Sequence, residues 1–68
     1  MARIVVLGGA ESGIGAAVLA KVKGFDVFLS DSGKIKEEYA GTLRDWGIPY
    51  EEGGHTGELV LNADEVVK

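Results

Sequence analysis

The residues whose types and spacing suit chemistry sit close together, in the run Gly8-Gly-Ala-Glu-Ser-Gly-Ile-Gly15. Glycines at 8, 9, 13 and 15 follow the continuous apolar stretch Ile4 to Leu7 and precede a run of small and apolar residues. A buried strand, a glycine-rich turn and a helix in that order form a cradle for phosphate. Bare backbone amides approach the ligand, and the positive end of the helix dipole faces it. The candidate binding residues are Gly9, Ala10, Glu11, Ser12 and Gly13. Measured from Gly8, the pattern departs from G-x-G-x-x-G at its middle position, where Ala10 stands, and keeps the last glycine at Gly13. The carboxylate of Glu11 would repel a phosphate, so this residue is expected to point outward or to contact a ribose or base through its backbone. The competing reading is a tight strand-to-helix turn with no ligand.

A second candidate pair, Asp31 and Ser32, falls at the carboxyl end of the next predicted strand. This is about 20 residues on, where a dinucleotide fold places its ribose-binding acid. An ordinary Asp-Ser-Gly turn explains the same residues without a ligand. His55, in a Gly-Gly-His-Thr turn, reads as a surface or capping group. Glu51 and Glu52 are adjacent on a strand and should point to opposite faces, which suits a solvated edge better than a metal site. The pattern yields no catalytic residues, no nucleophile–base pair and no metal ligands.

The elements that position these residues follow from periodicity. Ile4 to Leu7 is a β-branched run fit for a strand buried on both faces. A helix is predicted from Ser12 or Gly13 to Lys23, with Ser12 as N-cap and Ile14, Val18, Leu19 and Val22 as its apolar stripe. Lys21 and Lys23 favour the negative end of its dipole, and Gly24 suits the C′ position. Phe25 to Ser30 is a second strand. A second helix from Lys34 or Ile35 to Trp46 is marked by Ile35, Tyr39, Leu43 and Trp46, which read as core or partner-facing. Ile48 to Glu52 is a short strand that Pro49 confines to a sheet edge. Thr56 to Leu61 suggests one helical turn, and Glu65-Val66-Val67 opens a fourth strand. Right-handed crossovers then give an α/β Rossmann-like fold, with a four-stranded parallel sheet ordered 3-2-1-4 and its crevice between strands one and four.

Composition narrows the setting. At 68 residues the chain is one domain, and without cysteine it has neither disulfides nor thiolate metal sites. The net charge of −4 argues against a polyanion such as DNA or RNA, but not against a single nucleotide held by amides. No membrane-length apolar run is present, and the absence of cysteine fits the cytoplasm. A fourth strand with no helix after it leaves a sheet face to be covered by another segment or by self-association. This predicts that the chain is a piece of a larger protein.

Four segments together carry a family resemblance: Arg3 to Ala17, then Gly24-Phe-Asp-Val-Phe-Leu-Ser-Asp-Ser, then Gly54-His-Thr-Gly, and finally Asn62-Ala-Asp-Glu-Val-Val-Lys. They resemble the amino-terminal domain of the Mur ligases, in particular those that join D-glutamate to UDP-N-acetylmuramoyl-L-alanine in peptidoglycan synthesis. The resemblance implies that residues 1–68 belong to a domain holding the UDP part of that substrate. Glu11, Ser12 and Gly13 would lie at the diphosphate and uridine, and Asp31 and Ser32 near the uracil. It also implies that ATP, Mg2+ and the ligation chemistry belong to central and carboxyl-terminal domains outside this stretch, so that these residues alone bind but do not catalyse. The alternative from the motif alone is an NAD(H)- or FAD-binding module of a dehydrogenase or regulatory domain.

Overall fold

The computed structural model describes residues 2–57 and 63–67. The elements run β1 (Arg3–Leu7), α1 (Glu11–Val22), β2 (Asp26–Asp31), α2 (Glu37–Asp45), β3 (Tyr50–Glu52) and β4 (Glu65–Val67). The strands form one parallel sheet in the order β3-β2-β1-β4, as the sequence predicts. The two central strands are apolar on both faces because both faces are covered: Ile4, Val5 and Val6 of β1 and Val27, Phe28 and Leu29 of β2 are all buried.

Alternation along the strands divides the core. Ile4, Val6, Val27 and Leu29 face the helices and pack with Ile14, Ala17 and Ala20 of α1 and Ala40 and Leu43 of α2. Val5 and Phe28 occupy the opposite face, where the Arg3 guanidinium lies 5.8 Å from the centre of the Phe28 ring. Pro49 precedes the edge strand β3, as expected. Its carbonyl accepts the Leu29 amide at 3.1 Å, so Pro49 joins the ladder as an acceptor although it has no N–H to donate.

Both helices end in the same way. Gly24 and Gly47 have φ of +88° and +67°. The amides of Gly24 and Phe25 reach back to Lys21 and Ala20, and those of Gly47 and Ile48 to Arg44 and Leu43. These are paired Schellman bonds, in which a left-handed glycine satisfies the last carbonyls and turns the chain toward the next strand.

Three expectations are corrected. Helix α1 begins at Glu11 with Ala10 as N-cap, and Ser12 lies inside the first turn. Its buried positions are Ile14, Ala17 and Ala20, whereas Leu19 and Val22 are exposed. Small residues let α1 lie close to the sheet, so the alanines make the contact and the bulky residues are turned out. Helix α2 begins at Glu37 rather than near Ile35. Gly33 O accepts from Gly53 N and Ile35 N donates to Glu52, so residues 33–35 spend their polar groups on the end of β3 and stay non-helical. Ile35 is still buried, but from a loop, and Trp46 at the end of α2 is half exposed. The helical turn expected at Thr56 to Leu61 falls mainly on 58–62, outside the described residues.

Candidate functional site at the first strand-to-helix turn

The turn after β1 is shaped by close approach. Gly8 has φ of +111°, a left-handed value that disfavours any side chain. A Cβ on Gly13 would lie 1.9 Å from the carbonyl oxygen of Gly8, so the first turn of α1 rests directly on the end of β1. Gly13 is therefore the packing glycine of the motif. Ala10, in the extended conformation, is the N-cap and brings no acceptor, and no side chain caps the helix. Ala10, Glu11 and Ser12 are exposed at this terminus. Glu11 supplies a carboxylate to the first turn, where the dipole favours it.

A cleft of about 120 Å³ opens at this point. It is lined by Gly8, Ala10, Ser12, Gly13 and Ala16 together with Val6 and Leu7 of β1 and Val67 of β4. The cleft thus sits between β1 and β4 beyond their carboxyl ends, at the position where the strand order reverses. Typical small-molecule pockets hold roughly 300–1,000 Å³. A volume of about 120 Å³ suits a phosphate group and leaves a sugar or base on open surface.

Of the sequence-predicted residues, Ala10, Ser12 and Gly13 line the cleft, whereas Gly9, Glu11, Asp31 and Ser32 do not. Asp31 is committed to the backbone: Oδ2 accepts the Gly9 amide at 2.6 Å and Oδ1 accepts the Gly33 amide at 2.8 Å. The Gly33 and Gly9 amides hold its carboxyl below the usual carboxylate value. Ser32 is exposed in the turn that follows.

Sequence reasoning passed over Ser30, a fully buried polar residue in β2. Its hydroxyl donates to Glu51 Oε2 at 2.8 Å and lies 2.5 Å from Nδ1 of His55. Glu51 also accepts from the Thr56 amide at 2.8 Å and hydroxyl at 2.6 Å. The Thr56 bonds, the amide first, depress its pKa. An ionised carboxylate only accepts, and Ser30 has one proton to give, so the His55 ring N–H donates to Ser30. A serine, a histidine and an acid do meet here, contrary to expectation, but the acid bonds the serine rather than the imidazole and the hydroxyl is sealed. The cluster fastens the 51–56 segment to β2. Glu51 and Glu52 lie on opposite faces of the edge strand β3, with Glu52 exposed, as expected, and both also act as structural acceptors, Glu52 holding the Ile35 amide at 2.9 Å. The signal was one serine in an otherwise apolar strand interior.

Comparison with known proteins agrees with this geometry. A family model described as the MurD N-terminal domain matches residues 3–67. The chain is 65% identical over its full 68 residues to the UDP-N-acetylmuramoylalanine--D-glutamate ligase of Bacteroides fragilis. It is 62% identical over the same length to that of Bacteroides thetaiotaomicron, and 55% identical over 65 residues (96% of the chain) to that of Porphyromonas gingivalis. The chain spans about 15% of the length of these relatives (14% for the last). Among solved structures, the bacillithiol disulfide reductase Bdr from Bacillus cereus superposes with a TM-score of 0.62 at 27% identity, over 79% of this chain and 19% of that one. The match of the family model over residues 3–67 shows that the chain belongs to the MurD N-terminal domain family.

Proposed function

We propose that this chain holds the UDP part of UDP-N-acetylmuramoyl-L-alanine for a cytoplasmic, ATP-dependent ligase that adds D-glutamate to it. The observation that carries the reading is the uncapped start of α1 opening onto a phosphate-sized cleft at the β1–β4 switch point. The diphosphate lies against the amides of Ala10, Glu11, Ser12 and Gly13, with Gly9 supporting the turn. The nucleoside extends toward the turn at Asp31 and Ser32. Residues 1–68 act in this reading as a binding unit alongside the rest of the ligase. In this reading ATP and Mg2+ are handled by the rest of the ligase.

Titration of the 15N-labelled chain with UDP, followed by amide shifts, tests the reading. Shifts at Ala10 to Gly13 with a Kd weaker than roughly 0.1 mM are expected, because so shallow a cleft buries little of the ligand. No shift there at millimolar UDP refutes it. A response to NADH but not UDP would instead favour a dinucleotide module. That alternative needs the Asp31 carboxylate for a ribose, and here it already serves two amides.

A further inference from the structure

We infer that Asp31 is a positioning residue, a latch between the turn after β1 and the turn after β2 that stays closed when a diphosphate binds. The inference rests on reading the start of α1 as the diphosphate site, and it assigns Asp31 a part in that site other than contact with the nucleoside.

The latch is held from every side. The backbone of Asp31 is fixed in the sheet: Ser30 O accepts Gly8 N at 2.8 Å and Asp31 O accepts Gly54 N at 3.3 Å. One carboxylate oxygen takes the Gly9 amide and the other the Gly33 amide. Ile35 lies over Gly9 so closely that a Cβ there would fall 2.7 Å from its Cγ1. The loop carrying Ile35 is tied to β3 through Gly53 and Glu52. The carboxylate thus cannot leave Gly9 without orphaning a buried amide. The charged groups near it are Glu52, its cross-strand neighbour, and His55, whose charge favours the ionised carboxyl.

This arrangement divides the amides of the glycine turn. Gly9 serves the protein, and a phosphate beside the Asp31 carboxylate would meet like charge. Ala10, Ser12 and Gly13 line the cleft and remain for the ligand, while neither Gly9 nor Asp31 does so. The acid that the motif offers for a ribose instead sets the angle at which α1 presents its amides. Polar contact with the nucleoside on this side passes to Ser32 and the backbone.

The test follows the amide protons of Gly9 and Gly33 in the labelled 68-residue chain. With the latch present, both titrate together with one midpoint below the ordinary carboxylate range, free and at saturating UDP alike. In Asp31→Asn this shared titration disappears, Gly9 shifts upfield at neutral pH, the β1 and β2 resonances stay in place, and UDP binds roughly tenfold more weakly, as loss of one charge-assisted bond implies. Separate midpoints for the two amides, or no titration of either, overturn the latch. Loss of the Gly9 titration on adding UDP also overturns it, by showing that the carboxylate moves to the nucleotide. If UDP leaves Ala10 to Gly13 unmoved, the diphosphate reading fails, and the latch is judged on the free protein alone. Should Asp31→Asn not fold, the wild-type titrations with and without UDP decide.

Discussion

Two glycines on one helix should respond oppositely to the same substitution. In Gly13→Ala the new Cβ would start 1.9 Å from Gly8 O, whereas real contacts of this kind stay beyond 3.0 Å. The start of α1 must therefore lift from β1 by at least 1.1 Å (3.0 − 1.9), and the neighbour is backbone that cannot rotate away. Forcing volume into a packed contact costs about 1–3 kcal/mol, and against backbone that cannot rotate away the upper half of that range applies, which exceeds the gain of up to about 1 kcal/mol from replacing a helical glycine. For a domain of this size, with total stability of about 3–10 kcal/mol, a net loss of roughly 1–2 kcal/mol is large. Gly15→Ala meets nothing within 4 Å, so it keeps the propensity gain and stabilises by about 0.5–1 kcal/mol. Urea unfolding followed by circular dichroism reads both. Since about 1 kcal/mol moves Tm by roughly 4–8 °C in a domain this small, the two variants should lie on opposite sides of the wild type. Lifting α1 also tilts the amides of the cleft, so Gly13→Ala should weaken UDP binding and Gly15→Ala should not. Equal stability in the two variants would refute the close approach of α1 to β1.

Ser30→Ala removes the buried hydroxyl that joins β2 to Glu51 and His55. It should cost about 1–3 kcal/mol in urea unfolding, and the 15N spectrum of the His55 ring should lose the signature of a bonded Nδ1–H. The pH dependence follows from Asp31 and Glu51, whose carboxyls are both held below their ordinary values in the folded chain. Their contribution is complete above the unfolded carboxyl range near pH 4 and is lost as pH falls from there through the lower folded values. Stability should therefore decline on acidification below about pH 5, and Asp31→Asn with Glu51→Gln should flatten that decline. An unchanged slope in the double variant would show that neither carboxylate is engaged as described.

The sheet was readable because its signals are local. An apolar β-branched run, a glycine turn and a helix of small residues leave few topologies, and Pro49 marks one edge. What escaped was set by contacts distant in sequence. The late start of α2 depends on Glu52 and Gly53 engaging residues 33–35, which no pattern within that segment shows. The outward turn of Leu19 and Val22 follows from how near α1 sits to the sheet, and hydrophobicity alone favours the opposite. Asp31 was recognised by its place at the carboxyl end of β2, but the amides that claim it lie 2 and 22 residues away. The Ser30 cluster joins one serine of β2 to Glu51, His55 and Thr56, 21 or more residues on, none of them distinctive alone.

The missing side-chain acceptor at Ala10 sets a limit on how this fold can be made sturdier. A serine or aspartate there would satisfy a loose amide and add about 1 kcal/mol to the helix. Under the proposed function it would also put a permanent oxygen where the diphosphate is to bind. For as long as position 10 stays bare, the chain forgoes that extra firmness, and under the proposed function a bound diphosphate would supply the acceptor that Ala10 lacks.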